Sequence, residues 1–161
     1  MPSVMVATVG GETLDIAGLP GWRILAVYRG KHCPLCKKYF VTLNAMQAEL
    51  QAAGISTLAV SADPKEKAAA DVAEFGWTFP VGYGLAVAQM RTLGLYISEP
   101  RSPQETDRPF AEPGLFVINP AGNIQIIDIS NAPFARPDLA MILNGIKFAI
   151  EKNYPIRGTL A

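Results

Sequence analysis

Two apolar runs with a helical segment between them constrain the fold of this 161-residue chain more than any other feature. The runs RILAVY (Arg23–Tyr28) and ISTLAV (Ile55–Val60) are typical of buried strands. Residues 34–53 separate them and place apolar side chains on one helical face, namely Leu35, Tyr39, Leu43, Met46 and Leu50. A strand, a helix and a second strand predict a right-handed parallel crossover.

Shorter patterns extend this unit on both sides. Val4–Val9 and Glu12–Ile16 flank a Gly-Gly pair, which predicts an N-terminal β-hairpin. Asp63 is expected to cap a helix that ends at Gly76, with Pro64 in its first turn. A shorter helix is predicted over Leu85–Leu93.

The C-terminal third adds a hairpin and a helix. Residues 98–112 are rich in proline and charge and predict a long surface loop. Leu115–Asn119 and Asn123–Ile129 predict a closing hairpin, and Pro137–Lys152 has the pattern of an amphipathic helix. We therefore predict one α/β domain over residues 1–161, a mixed central β-sheet flanked by helices.

The charge balance and the hydropathy pattern limit the classes of partner and the cellular compartment that we expect. Lys+Arg and Asp+Glu both total 14, so the basic surplus that nucleic-acid binding requires is lacking. A balanced charge opposes self-association only weakly, and a homodimer is one expectation. The N-terminus shows no signal-peptide pattern, and no apolar run is long enough to cross a membrane. We expect a cytoplasmic protein without membrane contact.

Both cysteines of the chain lie in the segment KHCPLCKK, directly after a predicted strand. Pro34 suits the first position of a helix, so Cys33 is predicted at the helix N-terminus, where backbone N–H groups stabilise a thiolate. Lys31 and His32 add positive potential. Cys36 lies one helical turn further on, close enough to form a disulfide with Cys33. This arrangement favours thiol–disulfide exchange, in which Cys33 attacks and Cys36 resolves.

Other uses of the two thiols are open at this stage. A structural zinc needs about four ligands, and this chain has one histidine, so zinc would have to be shared across a dimer. Covalent haem would need a histidine after the second cysteine, where Lys37 stands. Two inert buried thiols are a further alternative.

The chain resembles the peroxiredoxin-like branch of the AhpC/TSA (alkyl hydroperoxide reductase/thiol-specific antioxidant) family, within the thioredoxin superfamily. The resemblance rests on LAVYRGKHCPLC, GISTLAVSAD, FGWTFPVGYGL, PGLFVINPAGNI and NYPIRGTL. It implies a thioredoxin-like fold and a thiol oxidoreductase that reduces hydroperoxides or disulfides without a cofactor or metal. Electrons would come from a cellular dithiol donor of the thioredoxin or glutaredoxin type. A non-catalytic redox sensor or interaction module on the same fold is the alternative.

The resemblance also implies roles for residues before the closing hairpin. Thioredoxin-like folds carry a cis-proline there, and the matching residue is Pro113. By resemblance, Glu112 and Pro113 present backbone groups to the substrate. Gly30, Lys31 and Pro34, which surround the first cysteine in sequence, are the other candidates for substrate binding.

The sequence departs from both subgroups of the superfamily. Peroxiredoxins carry Pro-x-x-x-Thr/Ser-x-x-Cys, but here Ala26 stands at the proline position and Gly30 at the Thr/Ser position. The family's arginine beside the closing strand falls on Pro113. Thioredoxins carry a buried carboxylate in the strand before the cysteines, and RILAVY contains none.

An arginine from another segment of the chain is expected to take over part of the role of these missing residues. Because the strands of the closing hairpin are antiparallel, the chain after Ser130 returns to the end where Pro113 lies. Arg136 is therefore predicted near the cysteines, where it would stabilise a thiolate or a peroxide. Arg29 and Arg108 are competing candidates from neighbouring loops. His32 is a candidate base for Cys36, since its unperturbed pKa is near neutrality.

Overall fold

A mixed seven-stranded β-sheet organises the chain in the computed structural model, which describes residues 1–160. The strands are β1 Met5–Thr8, β2 Thr13–Asp15, β3 Trp22–Val27, β4 Ile55–Val60, β5 Val81–Tyr83, β6 Ile97–Ser98, β7 Phe110–Ala111, β8 Gly114–Ile118 and β9 Ile124–Ile129. The helices are α1 Pro34–Ala45, α2 Gln47–Ala52, α3 Lys65–Phe75, α4 Val87–Thr92 and α5 Leu139–Glu151. The large sheet has the order β2-β1-β5-β4-β3-β8-β9, and β6 and β7 form a separate pair.

The predicted crossover and both predicted hairpins are confirmed. β3 and β4 pair in parallel from Trp22↔Ile55 to Val27↔Val60, with α1 and α2 between them in the chain. β1 pairs with β2, and β8 pairs with β9, both in antiparallel fashion. Because β8 also runs antiparallel to β3, the end of β3 that leads to the cysteines lies beside the start of β8.

The sheet separates two apolar cores, because successive side chains of a strand point to opposite faces. One core contains both cysteines and an aromatic cluster of Phe40, Trp77 and Phe79. The other contains Met90 and Phe110. Within residues 1–160, no helix combines the length and hydrophobicity that a membrane crossing requires.

The helix predicted over residues 34–53 is two helices, which meet at Met46. The predicted inward face is also partly wrong. Leu35 is exposed, and the buried positions of this segment are Cys36, Phe40, Leu43, Gln47 and Leu50. The reason is that the buried Cys33 caps the helix and thereby sets which side of the first turn faces the core.

Three short strands were not predicted. β5 lies in a Pro- and Gly-rich segment and pairs with β4 at Ala59 and Val60. The pairing of β6 with β7 shortens the predicted loop from both sides. Strands of two or three residues carry too little apolar periodicity to be recognised in a sequence.

Candidate active site

Cys33 and Cys36 lie at the N-terminus of α1 and are joined by a disulfide, with Cα atoms 5.4 Å apart. Cys33 is the N-cap, and its Sγ accepts a hydrogen bond from Cys36 N at 3.2 Å. Pro34 is the exposed first residue of the helix. The cysteines have relative exposures of 1% and 0%, so the oxidised pair is enclosed by protein.

A tight loop between β3 and α1 holds Cys33 in place. Cys33 N donates to Gly30 O at 3.1 Å, and Gly30 has a φ of +119°. Asp63 packs against Gly30, where a Cβ atom would come 2.5 Å from Asp63 Oδ2. The same carboxylate accepts a hydrogen bond from Lys31 N at 2.6 Å. Glycine at this position is therefore required by the backbone conformation and by the close approach of Asp63.

These contacts correct the predicted role of Asp63. Pro64 is the N-cap of α3 and makes no side-chain cap bond, whereas the Asp63 carboxylate points to the cysteine loop. Asp63 is 2% exposed, and burial raises the pKa of its carboxyl group above the ordinary value. A buried carboxylate thus supports the redox loop from the segment that follows β4 rather than from β3, where the sequence showed none.

Arg136 lies beside the disulfide. Its Nη2 is 3.0 Å from Cys36 Sγ, and its Nε donates to Pro133 O at 3.3 Å. The guanidinium stacks over the ring of Tyr39, with Cζ 4.9 Å from the centroid. Burial lowers the pKa of Arg136 to about 10, which leaves it charged at neutral pH. The sulfur that Arg136 contacts belongs to Cys36, whereas the helix N-terminus supports Cys33.

The competing arginines have other partners. Arg29 forms ion pairs with Glu105 at 3.2 Å and Glu112 at 3.3 Å, and Arg108 pairs with Asp107 at 3.0 Å. Neither makes a hydrogen bond to a cysteine sulfur in the described part of the chain.

Pro113 differs from the expectation. The Glu112–Pro113 bond is trans, since residues 1–160 contain no cis peptide bond. Glu112 N donates to Tyr96 O at 2.8 Å, and Pro113 O accepts from Ser130 N at 3.0 Å. These two backbone groups are already paired and are not free for a substrate.

His32 and Lys31 point away from the sulfurs. The His32 ring packs against Phe110 with centroids 4.7 Å apart, and neither ring nitrogen has a hydrogen-bond partner. Burial, followed by repulsion from Arg29, lowers the pKa of His32 below its ordinary value. The Lys31 ammonium pairs with Asp71 at 3.2 Å and Glu74 at 3.5 Å. The structure thus shows no hydrogen bond from His32 to Cys36, the contact that a base role requires.

Asp71 was missed in the sequence, although it is fully buried in α3. Lys31 approaches its Oδ1 at 3.2 Å and Lys37 at 3.7 Å, so cations from both sides of the cysteine pair meet this carboxylate. The pKa of Asp71 is raised above its ordinary value, chiefly by burial, although both lysines act to lower it. The only sequence signal was an acidic residue within the alanine-rich run AAADVAE.

An apolar groove of about 420 Å³ runs beside Arg136. Two of its lining side chains are large and exposed: Leu35, which lies between the cysteines, and Phe134, which is 78% exposed. Tyr39 and Leu139 also line it. We call it the Phe134 groove. It offers an apolar surface next to the residue that contacts the redox pair.

Comparison with known proteins agrees with this geometry. The model of the AhpC/TSA family matches residues 1–127. The chain belongs to the AhpC/TSA family. Among curated proteins, none matches the sequence.

Solved peroxiredoxin structures share the fold. A peroxiredoxin 6 of Arenicola marina has a TM-score of 0.75 at 17% identity, covering 94% of this chain and 71% of that one. A peroxiredoxin-like protein from Aquifex aeolicus has a TM-score of 0.76 at 16% identity, with coverages of 91% and 82%. The bacterioferritin comigratory protein of Xanthomonas campestris has a TM-score of 0.71 at 19% identity, with coverages of 95% and 92%.

Membership of the AhpC/TSA family confirms the thioredoxin-like fold and the enzyme class predicted from the sequence. The protein is a peroxiredoxin-like, thiol-dependent oxidoreductase, and the disulfide-bonded Cys33–Cys36 pair is its redox centre. The position that carries Thr/Ser in the peroxiredoxin motif is Gly30, whose conformation serves the loop and the approach of Asp63.

Proposed function

We propose that the protein reduces organic hydroperoxides through a Cys33 sulfenic acid that Cys36 resolves. The observation that carries this assignment is the unequal support of the two sulfurs. Cys33 Sγ lies at the opening turn of α1 and accepts a backbone hydrogen bond, whereas Cys36 Sγ is contacted by Arg136.

The chemistry balances in three steps. The Cys33 thiolate attacks the distal peroxide oxygen, the O–O bond breaks, and an alkoxide leaves to take up a proton as the alcohol. The Cys36 thiolate then attacks the sulfur of the Cys33 sulfenic acid, which forms the disulfide and releases hydroxide, protonated to water. A cellular dithiol finally reduces the disulfide and is itself oxidised to a disulfide.

Arg136 serves the second and third steps. A guanidinium 3.0 Å from Cys36 Sγ favours the thiolate that resolves the sulfenic acid. It also favours the same thiolate as the leaving group when the donor attacks Cys33 Sγ, since a thiol of lower pKa leaves faster. Arg136 is therefore a catalytic residue of resolution and of recycling.

Both sulfurs are enclosed in the oxidised state, so access requires movement. At exposures of 1% and 0%, neither sulfur of the pair can be reached by a thiolate of another protein. The first turn of α1 carries the exposed residues Pro34 and Leu35 and is the segment that would open.

The Phe134 groove supports a substrate with an apolar group. The Xanthomonas protein is described for its alkyl peroxide reduction activity. In the present chain, the groove beside Arg136 presents Leu35 and Phe134 to such a group. The proposed electron donor is a thioredoxin- or glutaredoxin-like dithiol protein in the cytoplasm, and the enzyme works as a monomer or a homodimer.

Coupled turnover tests the proposal. The reduced protein is supplied with NADPH and either thioredoxin and its reductase or glutaredoxin, glutathione and glutathione reductase. NADPH oxidation is followed with hydrogen peroxide, cumene hydroperoxide or a small disulfide. We expect multiple turnovers with a hydroperoxide and none for Cys33→Ser. A single stoichiometric oxidation without turnover with thioredoxin or glutaredoxin would refute the enzyme cycle and favour a redox sensor. Turnover with the small disulfide but with neither hydroperoxide would refute peroxide as the oxidant.

The groove has its own test. Phe134→Ser removes an exposed ring from the groove, and Phe148→Ser removes an exposed ring from α5 as the matched control. We expect Phe134→Ser to lower kcat/KM for cumene hydroperoxide about five- to tenfold, the effect of losing about 1–1.4 kcal/mol of apolar contact. The value for hydrogen peroxide should stay unchanged. An equal loss for both peroxides would contradict a role of the groove in binding the substrate's apolar group.

A further inference from the structure

A second cavity, of about 480 Å³, lies at the end of the sheet opposite the cysteines, where β3 and β4 begin. We call it the basal cavity. Its volume is in the range of small-molecule sites, about 300–1,000 Å³. Its walls are largely apolar and include Leu14, Ile16, Leu19, Trp22, Leu58 and Phe79. Arg23 and Val27 are about 13 Å apart along β3, and the cysteine loop lies beyond Val27, so the cavity is separate from the redox centre.

The cavity exists because β4 lacks a neighbouring strand along the first four of its six residues on one edge. β4 pairs with β3 from Ile55 to Val60, but with β5 only at Ala59 and Val60. The chain before β5 is held elsewhere, since Thr78 N donates to Asn44 Oδ1 at 2.8 Å. In residues 1–160 no strand therefore lies beside the first half of β4 on this side. The space between it and the β1–β2 hairpin is left open.

A buried cation without a direct ion pair lines this space. Burial lowers the pKa of Arg23 below its ordinary value, and the Asp15 carboxylate, which acts on it from beyond 4.0 Å, raises that pKa by less. Arg23 is 3% exposed and donates to the carbonyl oxygens of Ile16 at 3.3 Å, Ala17 at 2.8 Å and Gly21 at 3.0 Å. Among the described residues, no carboxylate lies within 4.0 Å of its guanidinium, although buried charges are normally paired. The three carbonyls use three of its five N–H groups, which leaves two for another acceptor.

Two other polar side chains near Arg23 and the cavity are already paired, and the lining carboxylate of Glu12 is exposed to solvent. The Asp15 carboxylate, near Arg23 in the chain, accepts from Val4 N at 3.2 Å and Ala17 N at 3.1 Å. Gln47 Nε2 donates to Thr57 Oγ1 at 3.2 Å and to Leu43 O at 3.0 Å. A matching ligand is therefore anionic at one end and apolar along the rest of its length.

We propose that the basal cavity binds a medium-chain monocarboxylate, with its carboxylate on Arg23 and its alkyl chain against the apolar walls. A carboxylate matches the planar fork of a guanidinium and would supply a counter-charge in direct contact with Arg23. This site is separate from the peroxide chemistry, because it lies at the opposite end of β3 from the cysteine loop.

Calorimetric titration of the full-length oxidised protein tests the site with three probes below their micelle concentrations. Decanoate carries head and tail, decanol carries the tail alone, and acetate carries the head alone. We expect decanoate to bind one to one and at least tenfold more tightly than decanol, and acetate not to bind. Decanoate should also change the fluorescence of Trp22, which lines the cavity.

Two variants separate the contributions of charge and space. Arg23→Met keeps an apolar side chain of similar length and should weaken decanoate binding at least tenfold while leaving decanol unchanged. Ser56→Phe places a ring at an exposed lining position and should abolish binding of both, whereas Ser102→Phe, in the loop between β6 and β7, should not. If Arg23→Met fails to fold, the decanoate–decanol comparison and Ser56→Phe decide. Equal binding of decanoate and decanol, no binding of decanoate, or full binding by Ser56→Phe would overturn the proposal, whatever the outcome of the peroxide assay.

Discussion

Replacing Arg136 with methionine removes the guanidinium that donates a hydrogen bond to Cys36 Sγ at 3.0 Å. The thiolate of Cys36 loses its charge partner, while the backbone N–H that supports Cys33 is untouched. We therefore expect a higher pKa for the Cys36 thiol and slower resolution of the Cys33 sulfenic acid, with an unchanged first reaction with peroxide.

The size of the effect follows from the geometry. A unit charge at 3.0 Å interacts by at most about 5.5 kcal/mol at an effective dielectric constant of 20. Neighbouring charges usually shift a pKa by about 1–3 units. Because Arg136 is partly exposed, we take the lower part of that range, about 1–2 units or 1.4–2.7 kcal/mol. Each unit of pKa lowers the fraction of Cys36 present as thiolate about tenfold, whereas the remaining thiolate becomes about threefold more nucleophilic. Resolution should therefore slow about 3- to 13-fold.

Two assays measure this prediction. In a Cys33→Ser background, thiolate absorbance at 240 nm against pH reports the Cys36 thiol, whose pKa should rise by about 1–2 units on Arg136→Met. In the protein with both cysteines, dimedone quenching at intervals after one equivalent of peroxide gives the lifetime of the sulfenic acid. Arg29→Met is the matched control, since Arg29 pairs with Glu105 and Glu112. An unchanged Cys36 pKa, or an equal effect of Arg29→Met, would refute the assignment.

Three further predictions concern the supporting residues. Gly30→Ala should lower the free energy of unfolding in urea by at least about 2 kcal/mol, because it strains a φ of +119° and displaces Asp63. The control Gly84→Ala, at φ +67° with open space around it, should lower the same free energy by about 1 kcal/mol. Burial raises the folded-state pKa of Asp71, so the folded protein binds the proton more tightly and its free energy of unfolding should fall as pH rises through that pKa. Asp71→Asn should remove this dependence of the unfolding free energy on pH. A wild-type free energy that rises with pH relative to the variant would contradict the prediction. His32, the one histidine of the chain, should titrate by NMR with a midpoint below 6.5, whereas a midpoint above 6.5 would show that its surroundings favour the charged form.

The sequence predicted those parts of the fold that local patterns determine. The apolar runs of β3 and β4 specified a parallel crossover, and the direction of the closing hairpin was enough to predict that Arg136 lies near the cysteines. Arg136 is one hundred residues from Cys36, yet two antiparallel strands connect the positions by a simple geometric rule.

The details of the site depend on contacts that no local pattern contains. Helical periodicity gives the spacing of a buried face but not its phase, and Leu35 was misplaced because the burial of Cys33 sets that phase. Asp63 has the sequence context of a helix cap, but the amide of Lys31 competes for its carboxylate across the fold. No sequence pattern marks Asp71 as buried, because its partners are lysines from the cysteine loop and α1 that meet it only in the folded protein.

The division of roles between the two sulfurs is tested most directly by trapping the oxidised intermediate. Reduced Cys36→Ser and Cys33→Ser are each treated with one equivalent of hydroperoxide in the presence of dimedone, and the adducts are located by mass spectrometry. We predict an adduct on Cys33 in the Cys36→Ser protein and little adduct in the Cys33→Ser protein. A rapid adduct on Cys36 in the Cys33→Ser protein, with none on Cys33 in the other, would contradict the account.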